Sequence, residues 1–285
     1  MLRRMEIDIA VDLKGFTQDA RPGIFALRPA PLQVNYLGYP GTLGGDYIDY
    51  IVADAQIIGE ADRVYYSEKV VTLPGSYQPN DDKRRIDERT PSRTEAGLPE
   101  RGFVFCSFNN TYKIVPEVFD VWMRLLNAVE ECVLWLLDDN AAAVRNLKRE
   151  AEARGVSARR LVFAPRVNLA DHLARQRLAD LFLDTLPCNA HTTASDALWA
   201  GLPVLTCKGS TFAGRVAASL LHAVGMPELV AAALADYEAL ALKIAHEPGT
   251  LAALETKLAA NRDASALFDT ALYTKHLESA FTEMH

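Results

Sequence analysis

Cysteine is scarce in this chain, with four among 285 residues, at positions 106, 132, 188 and 207. No two are spaced C-x-x-C, which argues against a zinc knuckle or a dithiol redox pair and leaves reduced core thiols, as in a cytoplasmic protein. No apolar run approaches the ~18 residues that a membrane helix needs. Positive charge is also short: 30 Lys and Arg against 37 Asp and Glu give a formal net charge of −7. Neither a nucleic-acid coat nor a polybasic membrane surface is expected from that balance. The opening MLRRMEIDIAVDL has two arginines but no small-residue cleavage site, so it does not read as a signal peptide. The patterns G-x-G-x-x-G, G-K-[ST], G-x-S-x-G and H-E-x-x-H are missing as well. Dinucleotide, Walker-loop, elbow-hydrolase and zinc-protease readings go with them, and no metal site is expected.

What is present is the composition of an ordinary globular protein, 49% hydrophobic and 24% charged. From Arg101 onward, short apolar runs alternate with helical periodicity. GFVFCSF, CVLWLL, RLVFAP, ADLFLDT and PVLTC read as strands. VPEVFDVWMRLLNAV, NAAAVRNLKREAEARG, LADHLARQR and HTTASDALWAG read as helices. That alternation predicts an α/β, doubly wound parallel sheet covered on both faces. From about Gly225 the tail is helical. The first hundred residues differ: besides the opening EIDIAVDL they show one clear strand, DYIVAD, and look like the end of a domain. QPNDDKRRIDERTPSRTEAGLPERG is too charged and proline-bearing to bury a core. The expected organisation is therefore 1–80 as the remnant of one lobe, 81–101 as a charged linker or surface loop, and 102–285 as a nucleotide-binding lobe.

Ligands of open parallel sheets sit beyond the carboxyl ends of the strands. SFNNTYKIVP, RVNLADHLAR and CNAHTTASD each follow a strand and point polar residues to that edge. Lys113 alone reads as readily as a solvated surface lysine. His191, Thr192 and Thr193 suit helix capping and anion binding about equally. Asp196 lies one turn into the same helix, where a carboxylate favours the positive dipole end. His172 and Arg175 share one face of a short helix, and by themselves they would be an exposed surface.

Several strings resemble the catalytic region of the O-linked N-acetylglucosamine transferase and SPINDLY family. They include LKGFTQDARPGIFALRPAPLQVNYLGYPGTLG, DYIVAD, YSEK, FVFCSFNNTYKIVPEVFDVWMRLL and DHLARQRLADLFLDTLPCNAHTTASDALWAGLPVLT, in family order from about Asp12 to the C-terminus. The resemblance implies a GT-B fold of two facing Rossmann-like lobes, here with an incomplete N-terminal one. It implies a metal-free inverting transfer of N-acetylglucosamine from UDP-N-acetylglucosamine to Ser or Thr of an acceptor protein, with helical repeats and the rest of the N-terminal lobe upstream. Lys113 would stabilise the leaving diphosphate, and His191, Thr192 and Thr193 would cradle it. His172 would stack on uracil beside Arg175 and Val167, with Asp196 and Asn110 near ribose and phosphates. Gly38, Tyr39, Pro40, Gly41 and Thr42 would form a loop near the sugar. Two departures stand out. Leu169 occupies the place of a family lysine, and all six histidines fall at or after His172, so none is available on the acceptor side. Isolated, the chain is expected to be weak or inactive. The alternatives are a transferase using GDP-fucose or UDP-glucose, and a non-catalytic nucleotide-binding or interaction fragment.

Overall fold

Four short parallel strands, β1 (Ile9–Asp12), β2 (Leu32–Asn35), β3 (Tyr50–Asp54) and β4 (Lys69–Leu73), form the first sheet in that order. One helical turn, α1 (Gly23–Ala26), lies between β1 and β2. These come from a computed structural model that describes residues 2–285. The sequence signals only β1 and β3, and the reason is chemical. β2 buries Gln33 and Asn35, whose amide nitrogens are satisfied locally, Gln33 by the Phe25 carbonyl and Asn35 by the Gly41 carbonyl, both at 2.9 Å. β4 is an edge strand that turns Lys69 and Thr72 to solvent, so its apolar pattern is diluted.

The second sheet contains β5 (Val104–Ser107), β6 (Val133–Leu137), β7 (Leu161–Ala164), β8 (Leu181–Leu183), β9 (Val204–Cys207) and β10 (Val230–Ala231). All are parallel, in the order β10-β9-β8-β5-β6-β7. Every residue of β5, β6, β8 and β9 is buried, as strands covered by helices on both faces must be. Around this sheet run α2 (Pro116–Ala128), α3 (Ala141–Ala153), α4 (Leu169–Gln176), α5 (Thr192–Ala200), α6 (Val216–Ala223), α7 (Leu234–His246), α8 (Pro248–Arg262) and α9 (Thr270–Met284). α2 starts on a proline, whose missing N–H costs nothing in a first turn, and buries Val118, Phe119, Trp122, Leu125 and Leu126. Asn140 and Asn168 cap α3 and α4 by accepting from Ala142 N at 2.9 Å and Asp171 N at 3.0 Å. α5 stops at Gly201, whose φ of 88° is the left-handed conformation glycine takes without strain.

The chain moves outward from β5 through β6 to β7, then returns to lay β8 on the other side of β5. The carboxyl ends of β5 and β8 therefore diverge into a crevice, the switch point at which such sheets bind ligands. The two lobes are joined by more than the backbone. α9 returns to the first sheet, where the Tyr273 hydroxyl donates to the Tyr77 carbonyl at 2.7 Å and meets the Tyr36 hydroxyl. Ser219 of α6 donates to the buried Asp54 carboxylate at 2.6 Å.

Residues 81–101 have no helix or strand, but they are fastened along their length. The Arg84 carbonyl accepts from the Trp199 indole at 3.1 Å, and Asp87 N donates to the Ala170 carbonyl at 3.2 Å. Arg93 pairs with Asp180 at 3.2 Å, and Leu98 is 5% exposed. The segment is a strap held against the second lobe.

Candidate functional site

The switch-point crevice is a cavity of about 480 Å³, within the ~300–1,000 Å³ usual for small-molecule sites. Its wall contains Asn110 and Lys113 from the β5–α2 connection, Val167, His172 and Arg175 from the β7–α4 region, and His191, Thr192, Thr193 and Asp196 from the start of α5. Phe108, Asn109, Tyr112 and Arg166 complete much of the remainder. Gly38, Tyr39, Pro40, Gly41 and Thr42 do not line this cavity. They form the loop after β2, tied down where Glu68 accepts from the Thr42 hydroxyl at 2.5 Å and from Leu43 N at 2.7 Å. Gly38 passes so close to the Leu13 carbonyl that a Cβ would stand 1.9 Å from its oxygen, which is why no larger residue fits there.

At the start of α5 no side chain caps the helix. The Thr193 hydroxyl donates sideways to Asn109 Oδ1 at 2.7 Å, and Asn109 Nδ2 donates onward to the Thr185 hydroxyl at 2.9 Å. The His191 carbonyl accepts from Ala194 N and Ser195 N, both at 3.1 Å. The turn is thus shaped from beneath rather than capped from above. Lys113 Nζ reaches across to donate to the Asn189 carbonyl at 2.6 Å, which fixes a cation at the mouth of that turn.

Below lies Asp184, 3% exposed, at the end of β8. Its carboxylate accepts from Thr185 N at 2.7 Å, Ala190 N at 2.6 Å and the Thr206 hydroxyl at 2.6 Å. Burial pushes its carboxyl up to about 6, against the pull of those hydrogen bonds and of Lys113. Asp184 and Asn109 organise the turn and were not singled out from the sequence, although the lone acid ending the apolar run LFLD was a usable signal. Arg166 was also overlooked; it donates to Asn110 Oδ1 at 3.0 Å.

On the opposite wall, His172 and Arg175 are not the exposed helix surface their spacing alone suggests. Arg175 is 6% exposed, lies over the Phe108 ring at 4.9 Å and donates to the Pro165 carbonyl at 2.6 Å. It also donates to His172 Nδ1 through Nε at 3.1 Å and through Nη2 at 2.8 Å. Its charge and contacts are committed to holding the imidazole. Burial, then the charges of Arg175 and Arg166, push His172 down to about 4. Burial and then Lys113 push His191 down to about 4 as well, although its ring nitrogen meets the Ala213 carbonyl at 3.3 Å. The Asp196 carboxylate is also engaged by Arg84 of the strap.

These shifts make stability depend on pH. Above ~6.5 both imidazoles are neutral whether the chain is folded or not, so their contribution is fully present. As pH falls toward about 4 the unfolded chain takes up two protons that folded His172 and His191 refuse, and stability is lost. Asp184 runs the other way, since its folded carboxyl protonates near pH 6 and its unfolded one near 3.8. Between those limits these three groups alone leave a net of one proton, at most ~1.4 kcal/mol per pH unit, and the carboxyls of Asp54, Asp180 and Asp196, raised by burial, act in the same sense as Asp184. On going from pH 7.5 to pH 5, the urea midpoint of the wild type is expected to change less favourably than that of His172→Phe, which lacks one of these imidazoles; the same pH dependence in both would show that His172 is not held neutral.

An all-parallel lobe with a polar cavity at its switch point, joined to a second parallel-stranded lobe, is the plan of a GT-B glycosyltransferase, α/β in class. The chain belongs to glycosyl transferase family 41, whose sequence profile matches residues 2–90 and 86–277. It is 39% identical over 290 residues to the probable UDP-N-acetylglucosamine–peptide N-acetylglucosaminyltransferase SEC of Arabidopsis thaliana, covering 100% of this chain and 30% of the relative. To the probable transferase of the same name, SPINDLY, from Petunia hybrida it is 34% identical over 293 residues, covering 100% of this chain and 31% of the relative. A solved mutant of the Thermobaculum terrenum O-GlcNAc transferase superposes with a TM-score of 0.91 at 34% identity, over 99% of this chain and 54% of that one. The chain spans about a third of the length of these plant relatives. Among the described residues, no three His, Cys, Asp or Glu side chains are placed to hold a metal, and no helix is long and apolar enough to cross a membrane.

Proposed function

We propose that the cavity binds the nucleotide and diphosphate of UDP-N-acetylglucosamine, and that the chain is the donor-binding part of an inverting transferase. The sugar would pass to Ser or Thr hydroxyls of an acceptor protein. One observation carries this reading: the start of α5 is left without a side-chain cap and opens onto the same cavity as Lys113. Uncapped helix N–H groups together with a fixed ammonium form a site for an anion. The relatives' names, which describe UDP-N-acetylglucosamine–peptide transferases, supply the donor and the acceptor.

In this reading the His191-Thr192-Thr193 turn and Lys113 take the diphosphate, and Asn110 and Asp196 border the phosphates and ribose. His172, flat, neutral and held by Arg175, offers a face to uracil beside Val167. The loop from Gly38 to Thr42 borders the sugar and acceptor. As the glycosidic bond breaks with inversion, charge grows on the departing phosphate oxygen, where Lys113 and the α5 dipole stabilise it without reorganising. No histidine precedes His172, so the acceptor side of this chain offers no imidazole as a base, and slow or no transfer is expected from it unaided.

Titration calorimetry with UDP in EDTA tests the binding step. Saturable binding at one site, undiminished by the chelator, is expected. Loss of binding in EDTA would overturn the metal-free arrangement, and no binding in magnesium either would overturn the assignment of the cavity.

A further inference from the structure

Arg84 belongs to the strap, yet its guanidinium is packed inside the second lobe. Nη1 bonds Asp196 Oδ1, and each of the two side chains is 9% exposed. The guanidinium lies over the Trp199 ring at 5.6 Å, and Nε donates to the Asp81 carbonyl at 3.1 Å. The Trp199 indole in turn donates to the Arg84 carbonyl at 3.1 Å. Nη2 is buried with no partner. A buried ion pair is weak evidence of stabilisation, and one that leaves a donor orphaned is weaker still.

Asp196 shows what the pair achieves. It sits one turn into α5, in the wall of the cavity that also contains Thr192, Thr193 and Lys113. Arg84 engages one carboxylate oxygen, and Oδ2 has no protein partner among the described residues. A carboxylate so deeply buried tends to take up a proton, and Arg84 opposes that tendency. Left alone, the side chain would become neutral or rotate; held by Arg84, it keeps one charged, unoccupied acceptor at the cavity wall.

We propose that Arg84 is a positioning residue for nucleotide binding: it clamps Asp196 so that the free oxygen accepts a hydroxyl of the nucleoside. This rests on reading the cavity as a nucleotide site. It makes the strap between the lobes part of that site, although Arg84 itself need not touch the ligand.

The test is calorimetry on the chain with two probes, UDP and inorganic pyrophosphate, the second carrying phosphates but no nucleoside. Arg84→Gln and Asp196→Asn are each expected to weaken UDP about tenfold, the scale of one hydrogen bond to a charged group, and to leave pyrophosphate binding unchanged. The double variant is expected to be no weaker than Asp196→Asn, since Arg84 acts only through that carboxylate. Arg84→Lys, which keeps the charge, should recover part of the loss. The proposal is overturned if Arg84→Gln binds UDP like the wild type, if it weakens pyrophosphate equally, or if the two losses multiply in the double variant. A wild-type chain that binds neither probe would overturn the nucleotide reading and this proposal together, a result separate from the other three.

Discussion

Replacing Lys113 by methionine is expected to cut sugar transfer by ~10²–10³-fold while UDP affinity falls far less. The ammonium is fixed by the Asn189 carbonyl at 2.6 Å, so it is in place before any charge develops. A fixed cation gains most when the charge beside it grows, and that happens as the bond between sugar and diphosphate breaks. Methionine keeps the apolar stem and removes only the charge, so folding should survive. The measurement belongs in a chimera that supplies the part of the Arabidopsis relative this chain does not span, with steady-state kinetics for transfer and calorimetry for UDP. A turnover number near the wild-type value would return Lys113 to the class of ordinary surface lysines.

The second large effect is structural. Asp184→Ala removes the acceptor for Thr185 N, Ala190 N and the Thr206 hydroxyl at once. Each buried donor left unpaired costs ~1–3 kcal/mol, and partial relaxation brings the sum to roughly 3–5 kcal/mol. For a chain of this size that lowers the melting temperature by on the order of 10 °C. UDP binding should go with it, because Ala190 N is the tether just before the His191 turn. Asp184→Asn keeps one oxygen acceptor and should fall between alanine and wild type. A melting temperature for Asp184→Ala within a degree or two of wild type would show that the three donors find other partners and that the acid is not the floor of the site.

How much of this was legible depends on where each residue gets its partners. The strands of the second lobe were plain, because full burial on both faces demands unbroken apolar runs such as VLWLL. In the first lobe β2 was hidden by Gln33 and Asn35, whose partners are carbonyls of Phe25 and Gly41 several residues away in sequence. Lys113, His191 and Thr193 could be nominated because each follows a strand. Sequence alone weighed capping and a solvated lysine equally with anion binding, because the uncapped α5 and the Lys113–Asn189 contact exist only in the fold. Arg84 and Asp196 lie 112 residues apart, and no local pattern links an arginine in a charged, proline-bearing stretch to a helix on the far side of the lobe. The spacing of His172 and Arg175 was visible, but not their burial, which comes from Phe108 on another element.

The return of α9 to the first sheet has a mechanical consequence. The chain passes between the lobes twice, once through the strap and once through residues 264–270, so the halves are bound like a book stitched at two points along its spine. A single covalent crossing would leave twist, tilt and slide all open. A second crossing removes most of these and leaves mainly rotation about the line that joins the two. The Tyr273–Tyr77 contact fastens α9 at the second crossing. Movement of one lobe against the other would therefore follow one arc, with displacement growing with distance from the α9 seam.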